Sequence, residues 1–158
     1  MDACTDVLVM PVSRCFREDV LDLEAECYPD AWSERECSRH FKEGGKCLIA
    51  AVKGIVVGHM FYSYSRRDMA CMVSRLYVTQ GYRRKGIGTA MLARLQKWYR
   101  KPWRSLDVTA WEGDLDLQLF LRERGFRCFG ISDGWYDDAP EDQVYWFSLR
   151  ECDQETVV

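Results

Sequence analysis

The chain has 158 residues, 47% of them hydrophobic, which is the length of one domain with enough apolar material for a real core. Its net charge of −3, from 22 basic and 25 acidic residues, argues against nucleic-acid binding as the main task. No apolar run reaches the roughly 18 residues a membrane span needs, and the eight cysteines contain no Cys-x-x-Cys pair, so neither a membrane nor a metal site is expected.

Those thiols read as free cysteines in a reducing cytoplasm. The opening Met1-Asp2-Ala3-Cys4 lacks the apolar core of a signal peptide. Val7, Leu8, Val9 and Met10 form the first expected strand. Phe16, Val20, Leu23 and Cys27 then recur at steps of four, three and four, the stripe of an amphipathic helix. Tyr28-Pro29-Asp30-Ala31-Trp32 breaks it. Ser33 and Glu36 fit a capping box, so a second helix is expected over residues 34–41, ended by Gly44-Gly45.

Residues 47–52 and 55–64 are apolar and β-rich, joined by Lys53-Gly54 as a tight hairpin. After a turn at Ser65-Arg66-Arg67-Asp68, a strand is expected over residues 69–79. A third helix spans residues 86–100 and stops before Pro102. A strand follows over residues 105–110. Leu115, Leu119 and Phe120 give the inner face of a fourth helix ending at Gly125. Residues 126–132 and 144–149 read as two last strands joined by an acidic, aromatic loop.

The most informative stretch is the junction of the fourth strand and third helix. Leu76-Tyr77-Val78 is strand-like. Arg83-Arg84-Lys85-Gly86-Ile87-Gly88-Thr89 follows, and Ile87, Met91, Leu95 and Trp98 then keep helical spacing. A helix start carries about half a positive charge and several backbone N–H groups without intrahelical partners. Glycine lets an oxygen approach those donors, and three basic residues add charge. The sum is a seat for a phosphate or pyrophosphate. A P-loop lacks its Gly-Lys-Ser/Thr ending here. The Rossmann fingerprint lacks its third glycine, since Met91 stands there.

Arg83-x-x-Gly86-x-Gly88 after a strand resembles the signature of the GCN5-related N-acetyltransferases (GNAT), and the element order β-α-α-β-β-β-α-β-α-β-β is similar to that family's. Tyr28-Pro29-Asp30-Ala31-Trp32-Ser33-Glu34, residues 119–126 and Trp135-Tyr136 with Pro140-Glu141-Asp142 resemble segments of its RimI-like branch, the protein N-terminal acetyltransferases. The resemblance implies an α/β (α+β) fold with a mixed, mostly antiparallel sheet of about seven strands and four helices. It implies one domain over residues 1–150, with 151–158 as a frayed tail. It also implies acetyl-coenzyme A as co-substrate. Leu76, Tyr77 and Val78 would pair through their backbone with the pantetheine arm. Residues 83–89 would seat the pyrophosphate, and Asp114 would cap the fourth helix near coenzyme A. Tyr28, Pro29, Trp32 and Trp135 would face the acceptor. The protein would be cytoplasmic, a monomer or a homodimer.

The family's glutamate base and tyrosine acid fall on Thr109 and Leu121, which cannot carry that proton chemistry. Tyr136, Tyr145 and Asp107 are the candidate substitutes; Asp107 shares the strand face of Thr109. An α-amino group titrates near pH ~8, so an acceptor that deprotonates in solution is the alternative. His40 and His59 are the only imidazoles, and His59 reads as a packed or exposed strand residue. The acceptor is expected to be a protein or peptide N-terminal amine. A small-molecule amine is the alternative within the same chemistry, and an acidic wall of Asp133, Asp137, Asp138, Glu141 and Asp142 suits a cation. A coenzyme A-binding module without catalysis is the alternative of another class.

Overall fold

The computed structural model describes residues 6–12, 16–27, 31–98, 105–133 and 143–150. They form the expected succession of seven strands and four helices, with strand order β1-β2-β3-β4-β5-β7-β6. The molecule divides into two compact units, Met1–Ser63 with Ser74–Arg100, and Tyr64–Val73 with Lys101–Val158. Strand β4 (Ala70–Val78) contributes its beginning to the second unit and its end to the first.

In the first unit, β1 (Val7–Pro11) pairs antiparallel with β2 (Lys46–Val52), and β2 with β3 (Ile55–Ser65). The β2–β3 hairpin turns at Lys53 and Gly54, at φ 50° and 79°, the twist that a two-residue turn between right-twisted strands requires. Helices α1 (Arg17–Ala25), α2 (Glu34–Lys42) and α3 (Ile87–Trp98) complete the unit. The capping box is present: Ser33 Oγ accepts from Glu36 N–H at 3.2 Å, and Glu36 Oε2 from Ser33 N–H at 2.7 Å. Val20, Cys37, Cys47, Ile49 and Phe61 form a core cluster, with Phe16, Trp32 and Phe41 packed against it. Helix α1 departs from expectation. Cys27 lies beyond its end, and its buried face is Val20, Leu23 and Glu24.

In the second unit, the first residues of β4 pair in parallel with β5 (Ser105–Trp111). Strand β5 pairs antiparallel with β7 (Gln143–Arg150), which pairs with β6 (Arg127–Asp133). Strand β5 alternates cleanly: Leu106, Val108 and Ala110 are buried, and the residues between them are half-buried. Helix α4 (Leu115–Glu123) turns differently from its expected face. Leu115 and Leu119 are exposed, and Leu121 is its buried residue. The reason is period: residues 117, 120 and 121 form the inward stripe, and Leu115 falls in the first, outermost turn. Strand β6 ends the strand order, carries a register shift between Cys128 and Gly130, and exposes Phe129 and Ile131.

Candidate active site

In the first unit, β4 runs into Thr79, a single 3₁₀ turn at Gln80–Tyr82, the basic loop, and then α3. The chain reverses through two left-handed residues, Arg84 at φ 61° and Gly86 at φ 82°. Arg84 is a non-glycine residue in a region few such residues occupy, so the surrounding loop must hold it there. The first intrahelical bond of α3 runs from Ala90 N–H to the Gly86 carbonyl at 2.9 Å. The N–H groups ahead of it sit at the helix end, the donor set that binds anions. Arg84 and Lys85 are exposed beside them. A Cβ added at Gly86 meets no protein atom within 4 Å, so the space over the loop is open. These features fit a pyrophosphate.

Arg83 packs along the end of β4. Its Nε donates to the Val78 carbonyl at 2.8 Å, and its guanidinium lies 5.3 Å from the Tyr77 ring centre. It braces the loop against the end of β4. The Thr79 N–H donates to the Val57 carbonyl at 2.8 Å, tying the same point to β3. Gly58 makes the close approach possible: a Cβ there would lie 3.0 Å from the Tyr77 carbonyl and 3.2 Å from the Met91 methyl.

Tyr77 faces α1. Its hydroxyl donates to Glu26 Oε2 at 2.9 Å; burial, followed by that carboxylate, pushes the phenol up to about 12. Two residues earlier, on the same strand face, Arg75 reaches Glu24. Arg75 Nε and Nη2 lie 2.7 and 2.6 Å from Glu24 Oε1, which also accepts the Trp32 N–H at 2.9 Å. His59 Nε2 lies 2.5 Å from Glu24 Oε2, and both side chains are fully buried. Burial raises the Glu24 carboxyl, but the His59 hydrogen bond, the Arg75 charge and the Trp32 amide outweigh it and hold it below its ordinary 4.5. An ionised carboxylate only accepts, so His59 donates through Nε2. Its Nδ1 has no partner among the described residues.

Sequence reasoning missed this group, although each member left a signal. Glu24 sits on the apolar stripe of α1 beside Val20 and Leu23. His59 and Arg75 interrupt otherwise apolar strands. Three polar residues at inward positions require one another, because a buried charge must be paired. The indole of Trp32 is also placed by packing. It stacks on Phe61 at 5.3 Å and 9°, so the ring is engaged in the core.

In the second unit, Asp114 caps α4 as expected, its Oδ1 accepting from Leu117 N–H at 3.1 Å. Leu121 is fully buried core, which explains the hydrocarbon there. Thr109 is half-buried opposite Trp146. Asp107 lies two residues before it on that face, with Ser105 Oγ 3.5 Å from its Oδ2. Tyr145 is half-buried on β7, between Ala110 of β5 and Ile131 of β6. Tyr28, Pro29, Trp135 and Tyr136 lie outside the described residues. Among the described residues, no cluster of His, Cys, Asp or Glu could hold a metal ion, and no helix is long and apolar enough to cross a membrane.

The model of a family described as acetyltransferase (GNAT) matches residues 15–126. No curated protein sequence matches. Among solved structures, Ard1 from Thermoplasma volcanium is similar with a TM-score of 0.79 at 17% identity, over 92% of this chain and 98% of that one. The ribosomal-protein-S18-alanine N-acetyltransferase from Escherichia coli gives 0.78 at 14% identity, over 91% and 93%. Nourseothricin acetyltransferase gives 0.77 at 15% identity, over 92% and 99%. At such identities the structural likeness is one of fold, and the match over residues 15–126 is one of family. The chain belongs to the acetyltransferase (GNAT) family, acyltransferases that use acetyl-coenzyme A as co-substrate.

Proposed function

We propose that this enzyme is a RimI-like, cytoplasmic N-acetyltransferase whose acceptor is a protein or peptide N-terminal amine. The observation that carries the coenzyme A side is the loop with left-handed Arg84 and Gly86, which presents the start of α3 beside exposed Arg84 and Lys85. Residues 83–89 seat the pyrophosphate, and the backbone of Leu76, Tyr77 and Val78 pairs with the pantetheine arm. Acetyl-coenzyme A supplies an activated acyl group on a thioester. The protein's own task is to hold that group, direct a backbone N–H at its carbonyl and manage the protons of the amine and the leaving thiol. Asp114, whose side chain caps α4, is the further residue proposed to bind coenzyme A. The acceptor side is formed by Tyr28, Pro29, Trp32 and Trp135. The capped start of α2 directly after Trp32 supports this, because it gives the loop a fixed exit.

Thr109 and buried Leu121 leave proton transfer to other groups. Tyr136 and Tyr145 are the proposed donors to the leaving thiolate, and Asp107 a proposed acceptor. A free α-amine near pH ~8 needs little help from a base. Among the described residues, Cys37, Cys47, Cys71 and Cys128 are free thiols, and the proposed compartment is a reducing one. The oligomeric state proposed is a monomer or a homodimer.

A small-molecule amine is the second reading, favoured by the equally close fold of nourseothricin acetyltransferase. Thiol release from acetyl-coenzyme A, measured across N-terminal peptides and small amines, separates the two. Peptide turnover at least tenfold above every small amine is expected. A reversed order would replace the peptide acceptor, and no turnover with tight coenzyme A binding would favour a module that no longer catalyses.

A further inference from the structure

We infer that Glu24 is a positioning residue that locks the acceptor-side loop to the thioester-holding strand; the inference rests on the functional reading above and assigns a device within it. The geometry is specific. One carboxylate oxygen of Glu24 accepts both the Trp32 N–H, where the α1–α2 connection enters α2, and the Arg75 guanidinium on β4. The other oxygen is held by His59 from β3. Arg75 immediately precedes Leu76, the start of the backbone stretch that pairs with the pantetheine arm. Through one oxygen Glu24 therefore joins the point where the acceptor side begins to the strand that presents the acyl group, while His59 holds the other oxygen in place.

A second rung lies one strand repeat further along. Glu26 accepts from Tyr77 at 2.9 Å, and Tyr77 carries the Arg83 guanidinium over its ring. Glu24–Arg75 and Glu26–Tyr77 thus join the end of α1 to alternate residues of one face of β4. A hydrophobic pair at the buried position would pack as well, and a buried ion pair is a poor source of stability for its own sake. Its worth is in direction. The hydrogen bonds of a carboxylate set the angle of the backbone amide and of the guanidinium, which packing alone leaves free. Near-attack geometry is sensitive to displacements of this kind. Glu24 is fully buried and ionised against three partners, so it is not the base.

The test uses the full chain with Glu24→Ala, Glu24→Gln and Arg75→Met, and the best amine found for the wild type, whether peptide or small molecule. Glu24→Ala should lower kcat/KM for the amine at least tenfold. The acetyl-coenzyme A dissociation constant, by calorimetry, should stay within about twofold, because residues 83–89 do not touch Glu24. Glu24→Gln keeps an oxygen for the Trp32 N–H and should recover part of the loss. Arg75→Met frees the strand end only and should lower kcat while leaving Trp32 anchored. Amide exchange at Trp32, followed by NMR, should quicken at least tenfold in Glu24→Ala and little in Arg75→Met, with Ile49 as the core reference. Wild-type kcat/KM in Glu24→Ala, or an equal loss of coenzyme affinity, overturns the inference. If Glu24→Ala does not fold, Glu24→Gln and Arg75→Met decide: wild-type kinetics in both overturn it. If the wild type acetylates no amine, the proposed function fails by itself, and unchanged Trp32 exchange then overturns the lock while faster exchange sustains it.

Discussion

The guanidinium of Arg83 donates back to the carbonyl of Val78 at 2.8 Å, so the first basic residue of the loop holds the strand end in shape. Arg83→Ala should therefore raise the dissociation constant of acetyl-coenzyme A and also lower the melting temperature. Arg84→Ala and Lys85→Ala should weaken binding with little change in melting. Calorimetry beside thermal unfolding checks the split. Equal melting temperatures for all three variants would remove the bracing role from Arg83.

Gly86 gives a sharper test of where the pyrophosphate sits. Its φ of 82° costs a branched residue about 1–2 kcal/mol, yet no protein atom stands within 4 Å of an added Cβ. Gly86→Val should cost modest stability and abolish coenzyme binding, because the branched side chain would fill the space proposed for the pyrophosphate. Coenzyme affinity that falls no more than stability does would contradict the placement.

At Gly58 the obstacle is the protein itself. A Cβ would press on the Tyr77 carbonyl at 3.0 Å and the Met91 methyl at 3.2 Å. The methyl end of Met91 can yield; a strand carbonyl cannot without moving β4. Gly58→Ala should destabilise by about 1–3 kcal/mol, the usual cost of overpacking. Denaturant titration with an unchanged midpoint would count against it.

The Glu24 group predicts an acid limb in the stability profile. Its carboxyl is held below 4.5 in the folded chain and returns to about that value on unfolding. Between those two values the unfolded state binds more protons, so stability is lost as pH falls below about 4.5. The contribution is complete above that pH. Glu24→Gln should be less stable at pH 7 but show a flatter fall below about pH 4.5. Parallel profiles for the two proteins, measured by chemical denaturation at each pH, would exclude Glu24 as the source.

The thiols should divide by burial. Burial pushes Cys37 up to about 11 and Cys47 and Cys71 up to about 12, whereas Cys128 is exposed. A thiol reagent at pH 8 should label Cys128 rapidly and these three only on unfolding, with reductant leaving the melting temperature unchanged. Rapid labelling of Cys47 in the folded protein would show that the core opens.

Much of the architecture was legible because its signals are local. The Ser33–Glu36 box, the Lys53-Gly54 turn, the alternation of β5 and the Asp114 cap each lie within a few residues of chain. The strand–loop–helix junction from β4 to α3 was legible for the same reason. The Glu24 group was not, because Glu24, His59 and Arg75 come from three elements, and the inward position of each has a meaning only once the other two are known. The face of α4 was misread by trusting Leu115 and Leu119, which lie off the inward stripe and stay in solvent while Leu121 fills the core.

Strand β6 ends the strand order and bares Phe129, 57% exposed, and Ile131, 59% exposed, in an edge position. Such an edge invites pairing between molecules. The register shift between Cys128 and Gly130 interrupts the ladder at that point, and Arg127 and Asp133 place charges at its two ends. These features act as guards against edge-to-edge association. Straightening the strand by deleting Phe129 at the shift would remove one guard together with one of the two apolar side chains, and Ile131→Lys would strengthen the defence without touching the fold.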